Sequence, residues 1–308
     1  MASAPATQMG LTPAVCAQQA CSSVTKSRNP EGQRIGWIER IVEIEYETRG
    51  RIAYITLNRP EAKNAVTPEM HQRLCSIWAD FRDDDGADIA ILTGVGDAFC
   101  AGADLATYVP INYVDASPSR VREIVDLGFG GITRGMHRIT KPTIAAVNGW
   151  ALAGGLELAL ACDLRIASDG AMFGSFEARR GFHHGDGGIT RLVNICGAGV
   201  AMQMVLTAEP IDAQRALQCN MLTKVVPGEE LMEQAELLAQ QVLRNSQRAV
   251  RSAKETILEV IGKSLDDQLR IEGWNSYTCV DQDEARELLR RFFDKSDVGR
   301  DGTKPTEP

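Results

Sequence analysis

The sequence predicts an α/β protein: a largely parallel sheet built from strand and helix units, followed by a helical C-terminal region. Three observations carry that expectation. Short apolar runs bounded by turn residues alternate with helix-period segments up to about residue 190. Beyond that point strand signals nearly vanish. The chain of 308 residues, 44% apolar and 24% charged, is long enough for a sizeable core of ordinary globular composition. Divided accordingly, residues 1–37 form a flexible extension, 38–210 an α/β core, 211–295 a helical region and 296–308 a flexible tail.

The extension is rich in Ala, Ser, Thr and Gln and has no long apolar stretch, which argues against a secretory signal. From Ile41, "IVEIEYETRGRIAYITLNRP" alternates, breaks at Arg49–Gly50 and resumes, the pattern of a β-hairpin. "TPEMHQRLCSIWADF" then places Thr67 as N-cap and Pro68 at the first helical position, with Met70, Leu74, Ile77, Trp78 and Phe81 on one face. "DIAILTG" (88–94), "PTIAAVNG" (142–149) and "DLRIAS" (163–168) read as short buried strands. Between them lie a helix-like segment over roughly 118–138 and a helix starting near Gly154. Strands that alternate with helices imply crossover units and parallel pairing. After residue 190, "TRLVNICGAGVAMQMVLT", "DAQRALQCN", "EELMEQAELLAQQVLRNS", "AVRSAKETILEVIG" and "DDQLRIEGWNSYTCV" read as helices, with "TKVVP" the one strand candidate.

Residues 143–162 are long enough to span a membrane and carry Glu157 as their sole charge. Asn148–Gly149, Gly154–Gly155 and the preceding Pro142 break the run, so no span is expected. The net charge of −8 disfavours nucleic acid and anionic lipid as partners. Eight cysteines, at 16, 21, 75, 100, 162, 196, 219 and 279, form no C-x-x-C pair and do not cluster with the four histidines. Reduced thiols in the cytoplasm or an organellar matrix are the expectation.

Two turns share a design. "FCAGADL" (99–105) and "NGWALAGGLE" (148–157) follow strands and use Ala and Gly where backbone must approach something closely. Bare amides converging there would suit an oxygen that gains negative charge, although for a lone glycine turn close packing of helix on strand is the commoner explanation. Glu157, flanked by leucines, loses its water when buried and needs compensation. Glu177 has Phe173 and Phe176 nearby and precedes a glycine-rich loop with His183, His184 and Asp186. Adjacent histidines in an extended loop point apart, so no metal site is expected, and Asp186 fits a turn residue.

Taken in order, these segments resemble the crotonase, or enoyl-CoA hydratase/isomerase, superfamily. The resemblance rests on L-N-R-P-x-x-x-N-A from Leu57, A-G-A-D-L from Ala101 and V-N-G-x-A-x-x-G-G-x-E-L-A from Val147. It continues through C-D-x-R-I-A from Cys162 and F-G-x-x-E ending at Glu177, followed by G-x-x-x-G-x-G-G-x-x-R-L, and spans about Ile41 to Asp294. It implies a spiral of ββα units with a helical C-terminal region that mediates trimers, usually paired into hexamers, and an acyl-CoA thioester as ligand. The amides of Ala101 and Gly154 would form the oxyanion hole. Ala101, Gly102, Ala103, Asp104 and Leu105 would line the adenine pocket of CoA, with Ala62 and Lys63 bordering it from the other side. Glu157 and Glu177 would be the paired carboxyls of a hydratase that adds water across the C2=C3 bond. No metal or redox cofactor is implied, since coenzyme A is part of the substrate.

Departures from the pattern fall around that pair. Ala153 replaces the first of three glycines and is expected to be tolerated, because the amide that counts is one position on. Phe176 and His184 stand where proline is common. Asp186 lies one residue beyond the place, here Gly185, from which some isomerising or cleaving relatives take an acid; it and His184 are accessory candidates. The segment 106–131 is expected over the acyl chain, where Tyr108, Tyr113 and Phe129 would shape it, although packing explains these aromatic residues at least as well. The alternatives are an isomerase or another crotonase-type reaction using the 181–188 loop, and a non-catalytic CoA- or RNA-binding relative.

Overall fold

A computed structural model describes residues 43–134 and 139–298. The 1–37 extension, residues 135–138 of the segment read as a helix, and the tail beyond Val298 lie outside the described residues.

The expected hairpin is present as β1 (Ile44–Arg49) and β2 (Ile52–Leu57), paired antiparallel. β3 (Ile89–Gly94), β5 (Thr143–Val147) and β7 (Leu164–Ser168) extend the sheet in parallel, and β10 (Lys224–Val226) pairs with β7. The resulting order among the described residues is β1-β2-β3-β5-β7-β10. Between these strands the chain forms three-residue strands in a second sheet: β4 (Ala98–Cys100), β6 (Trp150–Leu152) and β8 (Met172–Gly174), completed by β9 (Ile211–Asp212). Each step β3–β4, β5–β6 and β7–β8 thus crosses from one sheet to the other, which is the expected spiral.

The inner strands are apolar throughout because both faces of the large sheet are covered. Ala53, Ile55, Ala90, Leu92, Ala145 and Val147 join the core shared with α1 (Pro68–Asp83) and α3 (Gly154–Ala161). Their neighbours Ile52, Tyr54, Ile89, Ile91, Ile144 and Ala146 face the opposite way, onto Leu231, Ala235 and Ala239 of α6 (Leu231–Leu243). That division follows from the two-residue period of a strand. α1 has the predicted cap, with Thr67 accepting from the Met70 amide and Pro68 at the first position.

The helix expected over 118–138 is shorter: α2 runs Pro118–Leu127. Gly128, Gly130 and Gly131 take φ of 72°, 60° and 74°, left-handed values that end a helix. A side chain on Gly131 would fall 2.7 Å from the Cα of Cys75. The apolar stretch 143–162 is divided into β5, β6 and α3 inside the fold.

α4 (Gly188–Thr207) is, among the described residues, the one helix long and apolar enough to cross a membrane by length and composition. Gly197, at φ 80° and ψ 161°, breaks it midway. α5 (Ala213–Gln218) and α6 follow, then α7 (Gln247–Val260), α8 (Leu265–Thr278) and α9 (Gln282–Val298), the last not singled out by the sequence reading. β9, β10 and α6 all lie beyond residue 210 yet complete the two sheets and cover one of them, so the α/β body extends past that boundary.

Candidate functional site

Glu157 stands in the first turn of α3, where the helix dipole favours a carboxylate. It is buried, and its Oε1 accepts from the amides of Asp186 at 2.8 Å and Gly188 at 2.9 Å. The loop of residues 181–187 that precedes α4 therefore supplies the hydrogen bonds that its desolvation demands. Glu177 opens a short 3-10 turn (Glu177–Arg180) after β8 and is also buried. Both glutamates line one cavity of about 220 Å³, together with Ala101, Ala103, Gly154 and Asp186.

Two of the Gly and Ala positions show why the turns are made of small residues. Gly102 has φ 96°, and a Cβ there would fall 2.9 Å from the Gly154 amide nitrogen; one on Gly155 would fall 2.0 Å from the Cys100 carbonyl oxygen. The turns are thus packed backbone to backbone. As first residue of α3, Gly154 has an amide without an intrahelical acceptor.

The expected partner amide needs correction. Ala101 N–H donates to the Lys63 carbonyl at 2.9 Å, so it is not available to a ligand. The amide left over is that of Ala103: Val66 bridges to this strip through the Gly102 carbonyl and the Asp104 amide, and among the described residues Ala103 N–H has no protein acceptor. Asp104 departs from its expected place too. Its carboxylate turns inward to Arg59 Nη1 at 2.6 Å and to the amides of Ala106 and Thr107, holding the turn. Ala103 and the exposed Leu105 line the cavity. Lys63 pairs on the surface with Asp97, and neither it nor the half-buried Ala62 is part of the cavity wall.

His184 and Asp186, expected as accessory, lie at the centre. His184 Nδ1 is 2.7 Å from Glu177 Oε1 and 3.4 Å from Glu157 Oε1, and Nε2 is 2.5 Å from Ser175 Oγ. The Nδ1 contact to Glu177 is close without the alignment of an ordinary hydrogen bond. Burial alone would lower the imidazole pKa, but the two carboxylates outweigh it and hold it up at about 9. Burial and the neighbouring Glu157 push Asp186 up to about 7. Glu157, Glu177 and His184 offer ligand atoms within 4.8 Å of one another, a spread that a cation could span. Donors bound at 2.0–2.2 Å to one metal, however, stand about 3 Å or more apart, and the 2.7 Å contact between Nδ1 and Glu177 is closer than that.

Tyr113 and Phe129 line the cavity as expected, with Tyr113 stacked on Phe182 at 4.9 Å. Tyr108 does not; it packs edge-on against Phe129. Phe176, in the place of the common proline, also lines the cavity and lies under the Arg179 guanidinium at 4.2 Å. Ala153 has φ 52° and ψ −122°, so its position, expected to be tolerant, is one that favours glycine. Sequence reasoning missed Ser175, and also Arg134 and Arg191, which donate to the carbonyls of Gly185 and Asp186 and hold the loop. Arg134 reaches the loop from 51 residues away, whereas Ser175 and Arg191 lie nine and five residues from their partners, in a loop whose path no periodic spacing shows.

Comparison with known proteins places this geometry. The profile of the family described as enoyl-CoA hydratase/isomerase matches residues 47–300. The chain belongs to the enoyl-CoA hydratase/isomerase family. Within that family it is 34% identical over 253 residues to a short-chain-enoyl-CoA hydratase of Clostridium acetobutylicum, covering 82% of this chain and 95% of the relative. It is 37% identical over 223 residues to an (E)-benzylidenesuccinyl-CoA hydratase of Thauera aromatica, covering 72% and 84%. The crystal structure of an enoyl-CoA hydratase from Mycobacterium tuberculosis superposes with a TM-score of 0.74 at 34% identity, over 82% of this chain and 96% of that one.

Proposed function

We propose that this chain hydrates 2-enoyl-CoA thioesters reversibly at C2=C3. The observation that carries the reading is the meeting of Glu157 and Glu177 in one cavity with the unpaired amides of Ala103 and Gly154. Amides aimed at a thioester oxygen stabilise the enolate-like charge of the reaction, each worth on the order of 3 kcal/mol in other oxyanion holes. Glu157 takes a proton from water as it adds at C3, and Glu177 gives one to C2. Coenzyme A enters and leaves with the substrate, so the scheme requires no cofactor. Glu157→Gln and Glu177→Gln should each lower kcat by about 100-fold or more, followed as loss of the enoyl chromophore. Near-wild-type turnover in either variant would overturn the role given to that residue.

Asp186 on the cavity wall favours a second reading, isomerisation through a loop acid. Turnover in ¹⁸O-labelled water separates the two, because hydration alone puts the label into product. We further propose a homotrimer or a dimer of trimers, supported by the apolar residues left exposed on α8 and α9. No disulfide joins the cysteines among the described residues, which supports a reducing setting, cytoplasmic or in an organellar matrix.

A further inference from the structure

His184 has no part in the hydration scheme above, yet its ring is one of the most enclosed groups of the site, with a side chain 1% exposed. It is fixed on both edges: Ser175 holds Nε2, and Nδ1 points into the gap between Glu177 and Glu157. It is also wedged beneath the start of α4, where a Cβ on Gly188 would fall 2.4 Å from Nδ1. Three separate segments therefore converge on one imidazole.

We propose that His184 is a positioning residue whose imidazolium, with its Nδ1 edge between Glu157 and Glu177, fixes their separation and supplies the positive charge that lets two buried carboxyls share one side of the substrate. The inference rests on the hydration reading, which assigns those two glutamates their roles. Two carboxylates confined to a dry site repel, and one of them ordinarily keeps a proton. A cation between them eases that conflict, so Glu157 stays able to accept a proton from water, and the proton that Glu177 gives to C2 is replaced from His184 Nδ1, 2.7 Å away. In the native state the imidazolium persists well above its ordinary range, to a pH of about 9. The titratable and charged groups around it are Glu157 from α3, Glu177 from the 3-10 turn and Asp186 on its own loop. Tyr113 stays a neutral phenol, since burial and these acids raise its pKa, and Arg134 and Arg191 are spent on loop carbonyls. As pH rises through about 9 the bridge loses its proton and the carboxyls lose their common partner. Activity should then fall.

Two measurements on the full-length chain test this. In ¹⁵N-histidine-labelled wild type, with the His184 signal assigned by its absence from His184→Gln, both ring nitrogens should be protonated at pH 7.5 and one should deprotonate near pH 9. In steady-state assays on a panel of short-chain 2-enoyl-CoAs, His184→Gln should lose about 100-fold in kcat, the cost of misplacing reacting groups by about 1 Å. Its KM should change little, because the ring is not part of the cavity wall, and the alkaline fall near pH 9 should vanish. A neutral imidazole at pH 7.5, ring signals that shift on adding EDTA, or a variant that keeps wild-type kcat and the alkaline fall would each overturn the bridge. Should His184→Gln not fold, His184→Asn assigns the signal and the protonation measurement decides. Wild type that hydrates nothing on the panel would sink the functional reading instead, while the ring's protonation still answers for the bridge.

Discussion

Ala153 and Asp186 are single residues whose surroundings work against them. At φ 52° and ψ −122°, Ala153 occupies a region that side chains enter at a cost of about 1–3 kcal/mol. Ala153→Gly should therefore raise stability by about 1 kcal/mol and the thermal midpoint by about 2 °C or more. A midpoint that is unchanged or lower would show that the neighbouring turns already relieve the strain. For Asp186 the sign is fixed by its proton. Burial beside Glu157 lifts its carboxyl from the ordinary 3.8 to about 7, so between those values the native state holds a proton that the unfolded chain has released. Stability contributed at this residue then falls as pH rises from about 4 to 7 and stays low above. Asp186→Asn, which cannot ionise, should melt higher than wild type at pH 8, with the gap closing toward pH 4. Equal gaps at both ends would refute a raised native pKa. At this scale the sequence was legible where chemistry travels with a local pattern, as for Glu157 and Glu177. It was not legible where partnership crosses the fold: nothing near His184 in the chain shows that its ring enters the gap between Glu177 and Glu157, the latter 27 residues away on α3. The expectation of an Ala101 amide in the oxyanion hole failed for a related reason, since which amide is left unpaired depends on how Lys63 and Val66 bridge to that strip.

Among the elements, α1 was readable down to its cap because sixteen residues show four turns of one apolar face. β4, β6 and β8 were not, since three residues each are too few to display a period. The apparent helix over 118–138 ended early because glycines at 128, 130 and 131 outweigh the helical spacing around them. α7 and α8 contain no buried residue, while Trp274 is 72% exposed and Tyr277 86%, with Phe292 and Phe293 of α9 also open. Apolar surface of that extent supports the proposed assembly. The wild-type chain should sediment as a trimer or hexamer, and Trp274→Glu with Tyr277→Glu should shift it toward monomer by light scattering. A monomeric wild type would defeat the assembly proposal.

Across the whole molecule, the fold class was visible in the alternation of apolar runs with helical segments, and the spiral came only through resemblance to a family. The reason is that the second sheet consists of its least legible strands. That sheet also brings the two small-residue turns together, so close that Gly102 and Gly155 have no room for a methyl group. The floor of the cavity is consequently main chain, and the chemistry it offers to a thioester oxygen is independent of side-chain identity. The walls are the reverse: Leu105, Tyr113, Phe129, Phe176 and Phe182 come from connecting segments. Divergence in this chain is thus channelled. A new acyl preference can arise by exchanging wall residues one at a time, whereas the handling of the thioester can be altered only by breaking the fold.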